Sequence, residues 1–337
     1  MFFARRVISV SFSSPVRQVF FTDGRSAVRP HSRFSPGQAN RSLRKVGLTP
    51  TELQASPPTG SGSLIRPFLF TMGFTGSAFT LAAIWEYENM RAKALKFRSS
   101  ALGWAQRNIH GDLRNRMNLW WKTMSEEKKL FYGILAANAT VFLAWKVPAL
   151  QKFMVTYFCA SPFSRAVCWP MVLSTFSHYS FLHFGVNMYV LHSFVDGAAH
   201  SMGKEQFLAF YASAGVVSSL VAHVVKTASR SPGLSLGASG AIMGVLAYFC
   251  SKYPDARLQV AFVPGFTFTA DSGLKALLCI DTLGLVMRWK LFDHAAHLGG
   301  ALFGIFWYHY GQQSIWNRRI ALLQHWHDFR SGTRPGE

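Results

Sequence analysis

The stretch Gly233–Gly244, "GLSLGASGAIMG", sets a hydroxyl between glycines inside a run with no charged residue from Ser231 to Ser251. A nucleophile on a strand-to-helix elbow reads G-x-S-x-G. Here the second residue after Ser239 is Ala241, so that pattern fails. Taken alone, the small residues fit two membrane helices that approach closely. The rest of the chain decides between packing and chemistry.

Of 337 residues, 50% are hydrophobic and 15% charged, and the charges cluster between long uncharged stretches. These stretches are Pro67–Trp85, Leu130–Trp145, Ala166–Val195, Phe207–Val225, Ser231–Ser251 and His294–Asn317. Each is long enough, or nearly so, to cross ~30 Å of hydrocarbon at ~1.5 Å per residue. A seventh, Leu274–Arg288, carries Lys275 near one end and Asp281 in the middle. The expectation is an all-α polytopic membrane protein with seven spans, in contact with a lipid bilayer. The net charge of +20 is split among separate loops, which argues against nucleic acid as a partner. The cysteines (Cys159, Cys168, Cys250, Cys279) show no C-x-x-C spacing and imply no disulfide framework. Cys250 and Cys279 read as packed thiols, while Cys159 and Cys168 share a loop and a pairing between them stays open.

Residues 1–62 begin with an arginine- and serine-rich leader, with Asp23 its lone acid before a Ser/Pro/Gly-rich linker. That composition is expected of a mitochondrial transit peptide followed by a disordered linker. Residues 63–129 read as a membrane helix and a polar loop in which Trp104, Trp120 and Trp121 suit the membrane interface. Ser125-Glu126-Glu127 reads as an N-cap with acids in the first turn, opening the next span. Residues 130–312 hold the remaining spans, and 313–337 read as a polar C-terminal tail. Leu258–Ala270 is too short to cross and reads as interfacial.

Polar side chains at membrane depth are costly and mark candidate sites. His183 and Asn187 are four apart and share a helix face; His297, Gly300 and Gly304 share another. Gly240 and Gly244 make a G-x-x-x-G pair on the helix opened by Ser239, so two glycine-lined helices can bring Ser239 within reach of His297. Depth agrees. Ser239 lies 13 residues before Lys252, ~20 Å of helix, and His297 four residues past Asp293, ~6 Å below the surface. Alternating the spans puts Ser239, His297, His183 and Asn187 at similar depth.

Acyl transfer suits this set. His297 would be the base for the Ser239 hydroxyl, and His183, Asn187 and the Ser239 N–H the oxyanion donors. No carboxylate is evident to orient His297: Asp293 lies nearer the surface, and Asp281 reads as a helix-packing hydrogen bond. The site is therefore expected to be a Ser–His dyad. A metal site made of His178, His183, His294 and His297 lacks H-E-x-x-H and a suitably spaced carboxylate. No metal or other cofactor is expected.

"GASGA", the upstream H-x-x-x-N and the downstream "AHLGGALFG" resemble the rhomboid intramembrane serine proteases over about Leu130–Tyr310. The resemblance implies a six-helix core plus one extra N-terminal span. It also implies Ser239 as nucleophile, His297 as base, and His183 with Asn187 at the oxyanion site. His178, Gly237 and Gly240 would support the site, and Gly244, Gly300 and Gly304 would pack the helices. The leader, the extra span and "FDHAAHLGGALFGI" resemble mitochondrial members. These imply single-span inner-membrane proteins as substrates, with roles in quality control and apoptosis. Bacterial members often carry a Trp-Arg pair in the first core loop; here Arg165 and Trp169 stand apart, so that loop's structure is not carried over. Basic residues divide evenly on the alternating layout, and orientation rests on import: N-terminus in the matrix, C-terminus in the intermembrane space. A non-catalytic rhomboid-like membrane-helix binder and a transporter stay as alternatives.

Overall fold

The structure is a computed structural model that describes residues 64–100, 112–231, 233–259, 265–289 and 292–332. The leader and linker at 1–62, and Trp104, lie outside the described residues.

The described chain is mostly helical. Helix α1 spans Ile65–Ser100, α2 Asp112–Thr123 and α3 Glu126–Ala144. A 3-10 turn at Pro148–Leu150 leads into α4, Gln151–Phe158, followed by α5, Cys168–Leu173. Then come α6 (Phe181–Met202), α7 (Lys204–Ala228), α8 (Ser239–Lys252), α9 (Ala270–Val286) and α10 (His294–Phe306). A π-helical stretch, Trp307–Trp316, continues α10, and α11 covers Ile320–Ser331. The all-helical expectation needs one correction: strands β1 (Arg257–Gln259) and β2 (Thr267–Thr269) pair antiparallel, Leu258 opposite Phe268. Pro254 stops a helix there, and the Thr-Phe-Thr run favours extended backbone.

Helix starts follow local chemistry. Ser125 Oγ accepts from Lys128 N at 3.3 Å, with Glu126 and Glu127 in the first turn, as the sequence predicts. Ser180 caps α6 through His183 N at 3.1 Å, and Asp293 caps α10 through Ala296 N at 3.2 Å. Each satisfies an amide that the helix start leaves without a partner.

Helices α1 and α7 are each long and apolar enough to cross a membrane. Helices α3 and α4, bent by 97° at their junction, together make a third candidate. Helix α8 is buried along nearly its whole length and packs against α7 and α10, which also pack on each other. Helix α1 lies along α7, with Phe79 stacked on Trp307 at 4.0 Å between ring centroids. Within 313–332, α11 returns to α1, with Arg319 on Glu86 and Arg330 on Glu88, both at 2.8 Å. All four cysteines are free thiols, which closes the Cys159–Cys168 question.

Candidate active site

Ser239 is the first residue of α8. Ala238 precedes it as an N-cap without a side-chain cap, and the first intrahelical bond runs from Ile242 N to Ala238 O at 2.9 Å. The amides of Ser239, Gly240 and Ala241 therefore precede the helix's own ladder, at its partially positive end. His297 sits in the first turn of α10, its N–H bonded to Asp293 O at 3.0 Å. Its Nε2 lies 3.0 Å from Ser239 Oγ. Two side chains 58 residues apart in sequence thus meet in one hydrogen bond.

Glycines make that approach possible. A Cβ on Gly300 would collide with the carbonyl oxygen of Gly240, and one on Gly304 with the carbonyl oxygen of Gly244. A Cβ on Gly244 would come within 2.8 Å of Ala214 Cβ and 3.2 Å of Gly300 O. The four glycines picked from the sequence form the α8–α10 contact across which Ser239 and His297 meet. Gly237 has φ +129°, and a Cβ there would also crowd His183 Nε2 at 2.9 Å. Only glycine meets both demands.

The other candidates cluster nearby. His178 is fully buried, and its Nε2 accepts from Ala238 N at 3.4 Å, tying it to the residue before Ser239. The His183 ring stands 4.9 Å from the His178 ring. Asn187 is buried and donates through Nδ2 to His183 O at 2.7 Å, so one of its two amide hydrogens is spent on its own helix. Ser239 faces a small cavity whose walls include Ser174, Thr175, Ser218, Ser219, Ser235 and Asp293.

One residue is placed differently from expectation. Asp281, on α9, puts Oδ1 3.2 Å from His297 Nδ1 and 2.6 Å from His294 Nδ1. The hydrogen-bond role read from the sequence holds, but the absence of a carboxylate behind His297 does not. A carboxylate facing Nδ1 requires the proton on that nitrogen, which leaves Nε2 with a lone pair toward Ser239. Mid-span burial of Asp281 was the available signal; its partner was not legible, because 16 residues and a helix change separate the two. Among the described residues, no group of three or more His, Cys, Asp or Glu is disposed to hold a metal ion.

The class defined here is a mostly helical protein, with helices of membrane-crossing length, that holds a serine hydroxyl on an imidazole at a helix–helix contact. The Rhomboid domain matches residues 165–313, which include Ser239 and His297. The chain is 45% identical over 312 residues to presenilin-associated rhomboid-like protein, mitochondrial, of Homo sapiens, covering 90% of this chain and 82% of that one. It is 42% identical over 313 residues to presenilin-associated rhomboid-like protein A, mitochondrial, of Danio rerio, with coverages of 86% and 82%. Rhomboid protein 1, mitochondrial, of Saccharomyces cerevisiae is 33% identical over 201 residues, with coverages of 58% and 57%. The chain belongs to the rhomboid family.

Proposed function

We propose that this chain is a rhomboid-type intramembrane serine protease of the mitochondrial inner membrane, with a six-helix core at 130–312 and one extra N-terminal span. The observation that carries the reading is the 3.0 Å contact between Ser239 Oγ and His297 Nε2 at a glycine-lined helix crossing. His297 Nε2 takes the hydroxyl proton as Ser239 attacks the scissile carbonyl, and the Asp281 carboxylate stabilises the imidazolium that forms. The oxyanion develops near the amides at the start of α8, with the His183 ring and the second Asn187 amide hydrogen as further donors. Collapse passes the proton from His297 to the leaving amine. Water, deprotonated by His297, then releases the acyl group from Ser239.

Substrates in this reading are single-span inner-membrane proteins, cut within or near their membrane helix, in mitochondrial quality control and apoptosis. The matrix carries the N-terminus and the intermembrane space the C-terminus. Support comes from the family, from the word "mitochondrial" in the relatives' names, and from the arginine-rich leader. The test is a fluorophosphonate probe and a helical membrane substrate applied to the purified protein. Ser239→Ala and His297→Ala should each abolish cleavage, and Ser239→Ala should abolish labelling. Full cleavage by either variant removes the pair from the chemistry. An unlabelled, inactive wild type returns the chain to the non-catalytic readings.

A further inference from the structure

Behind the serine–histidine contact lies a second polar cluster. Lys226 is in the last turn of α7, in a part of the bundle where a lone ammonium would be costly. Its Nζ donates to Ser235 Oγ and, at 3.0 Å, to Asp293 Oδ2; Ser235 Oγ in turn donates to the same carboxylate oxygen. The Lys226 and Asp293 side chains are only 12% and 26% exposed.

The three residues belong to three parts of the chain, and each bears differently on the contact. Ser235 precedes Ser239 by four residues, in the segment that enters α8. That segment is held by backbone bonds in both directions to Ala160, each 2.8 Å, and by Gly237 N to Ser174 O at 2.9 Å. Asp293 precedes His297 by four residues and does two jobs with two oxygens. Its Oδ1 caps α10 through Ala296 N, while its Oδ2 receives Lys226 and Ser235. Burial pushes its carboxyl up, but the Lys226 ammonium and the hydrogen bonds from Ser235 and Ala296 N–H outweigh this and hold it below its ordinary value of 3.8.

We infer that Lys226, Ser235 and Asp293 form a positioning latch that fixes the entry of α8 and the start of α10 to the end of α7, and so sets the distance between Ser239 and His297. Without it, the glycine contact still fixes how closely α8 and α10 approach, but no side-chain bond ties the starts of the two helices to each other and to the end of α7. Displacement of a reacting group by ~1 Å costs about 10²-fold in rate. The catalytic part of this inference rests on the protease reading; the mechanical part does not.

Two variants test it. Ser235→Ala removes the bridge and leaves the ion pair. Lys226→Met with Asp293→Asn removes both charges together, and asparagine caps a helix as well as aspartate does, so the cap is retained. Amide hydrogen exchange reads the latch whether or not the chain is an enzyme. In the double variant, peptides covering 233–238 and 293–300 should lose protection together, while the middle of α8 keeps its own. Loss confined to one peptide, or to neither, overturns the latch. In an active wild type, kcat should fall about tenfold or more in the double variant and less in Ser235→Ala, with KM within about twofold. Rate lost only in proportion to folded protein overturns the positioning role. An inactive wild type with coupled loss of protection sinks the protease reading and leaves the latch standing.

Discussion

Asp281 serves two imidazoles with one oxygen, 2.6 Å from His294 Nδ1 and 3.2 Å from His297 Nδ1. The closer bond belongs to the histidine that does not meet Ser239, so Asp281 is both a structural anchor and the group that fixes the tautomer of His297. Asp281→Asn separates the two duties. Asparagine preserves size but no longer stabilises an imidazolium, and its amide favours the wrong imidazole tautomer. In a soluble protease the equivalent change costs about 10⁴ in kcat with geometry intact. Here we expect a loss of roughly 10²–10⁴, read as kcat in detergent beside Tm. Unchanged kcat would confine Asp281 to anchoring His294. Asp293 follows a different pH logic. Its carboxyl lies below its ordinary value in the fold, so its contribution is fully present above that value and is lost only as pH falls below it. Any loss of activity between roughly pH 5 and 8 should therefore survive in Asp293→Asn; its disappearance would assign that titration to Asp293.

At the scale of elements, the crossing of α8 and α10 brings Ser239 to His297, and glycine allows the crossing. Gly300→Ala drives a methyl group into the Gly240 carbonyl oxygen, a backbone atom that cannot turn aside. Overpacking of this kind costs about 1–3 kcal/mol, and relief by separating the helices lengthens the Ser239–His297 bond. Activity should drop further than Tm accounts for. Gly133→Ala on α3 is the control, because nothing lies within 4 Å of the added methyl; alanine in a helix is about 0.5–1 kcal/mol better than glycine. If both variants behave alike, the close crossing is irrelevant to the site. This interface was legible as paired small residues at helical spacing. The cap at Ser125 rests on an equally local rule; the cap at Asp293 was seen only in the structure. The hairpin of β1 and β2 was not legible, because three-residue strands carry too little alternation to stand out from a loop.

Across the whole molecule, the two ends of the described chain are joined. Glu86 meets Arg319, Glu88 meets Arg330 and accepts from Trp326 Nε1 at 3.0 Å, and Tyr87 Oη contacts His327 Nδ1 at 2.6 Å. Pairs of this exposure contribute about 0.2–1 kcal/mol each. Reversing Glu86 to Lys should lower Tm slightly, and adding Arg319→Glu should recover most of the loss; no recovery would mean that α11 is held by its aromatic residues instead. The remaining prediction concerns substrate. A peptide bond inside a membrane helix is shielded by the helix's own hydrogen bonds, so in the proposed protease reaction attack by Ser239 needs local unwinding. Glycine is about 0.8–1.0 kcal/mol less favourable in a helix than alanine, so glycine in the substrate span should speed cleavage and replacement by leucine should slow it. Equal rates across such a series would show that unwinding does not limit the reaction.

What the sequence determined by itself is local or periodic. Two of the uncharged runs mark α1 and α7, the helices of membrane length; small residues four apart mark which faces approach, and a hydroxyl and an imidazole on those faces mark which side chains meet. These follow from the 3.6-residue repeat and the cost of polar groups away from water, and neither needs coordinates. Tertiary structure alone decided what stands behind the pair. Asp281 reaches His297 from α9, Lys226 and Ser235 reach Asp293 from α7 and the segment before α8, and α11 folds back on α1. No spacing rule links these residues, because each contact crosses from one helix to another. Its partner is chosen by the three-dimensional packing of helices whose order along the chain does not give their neighbours.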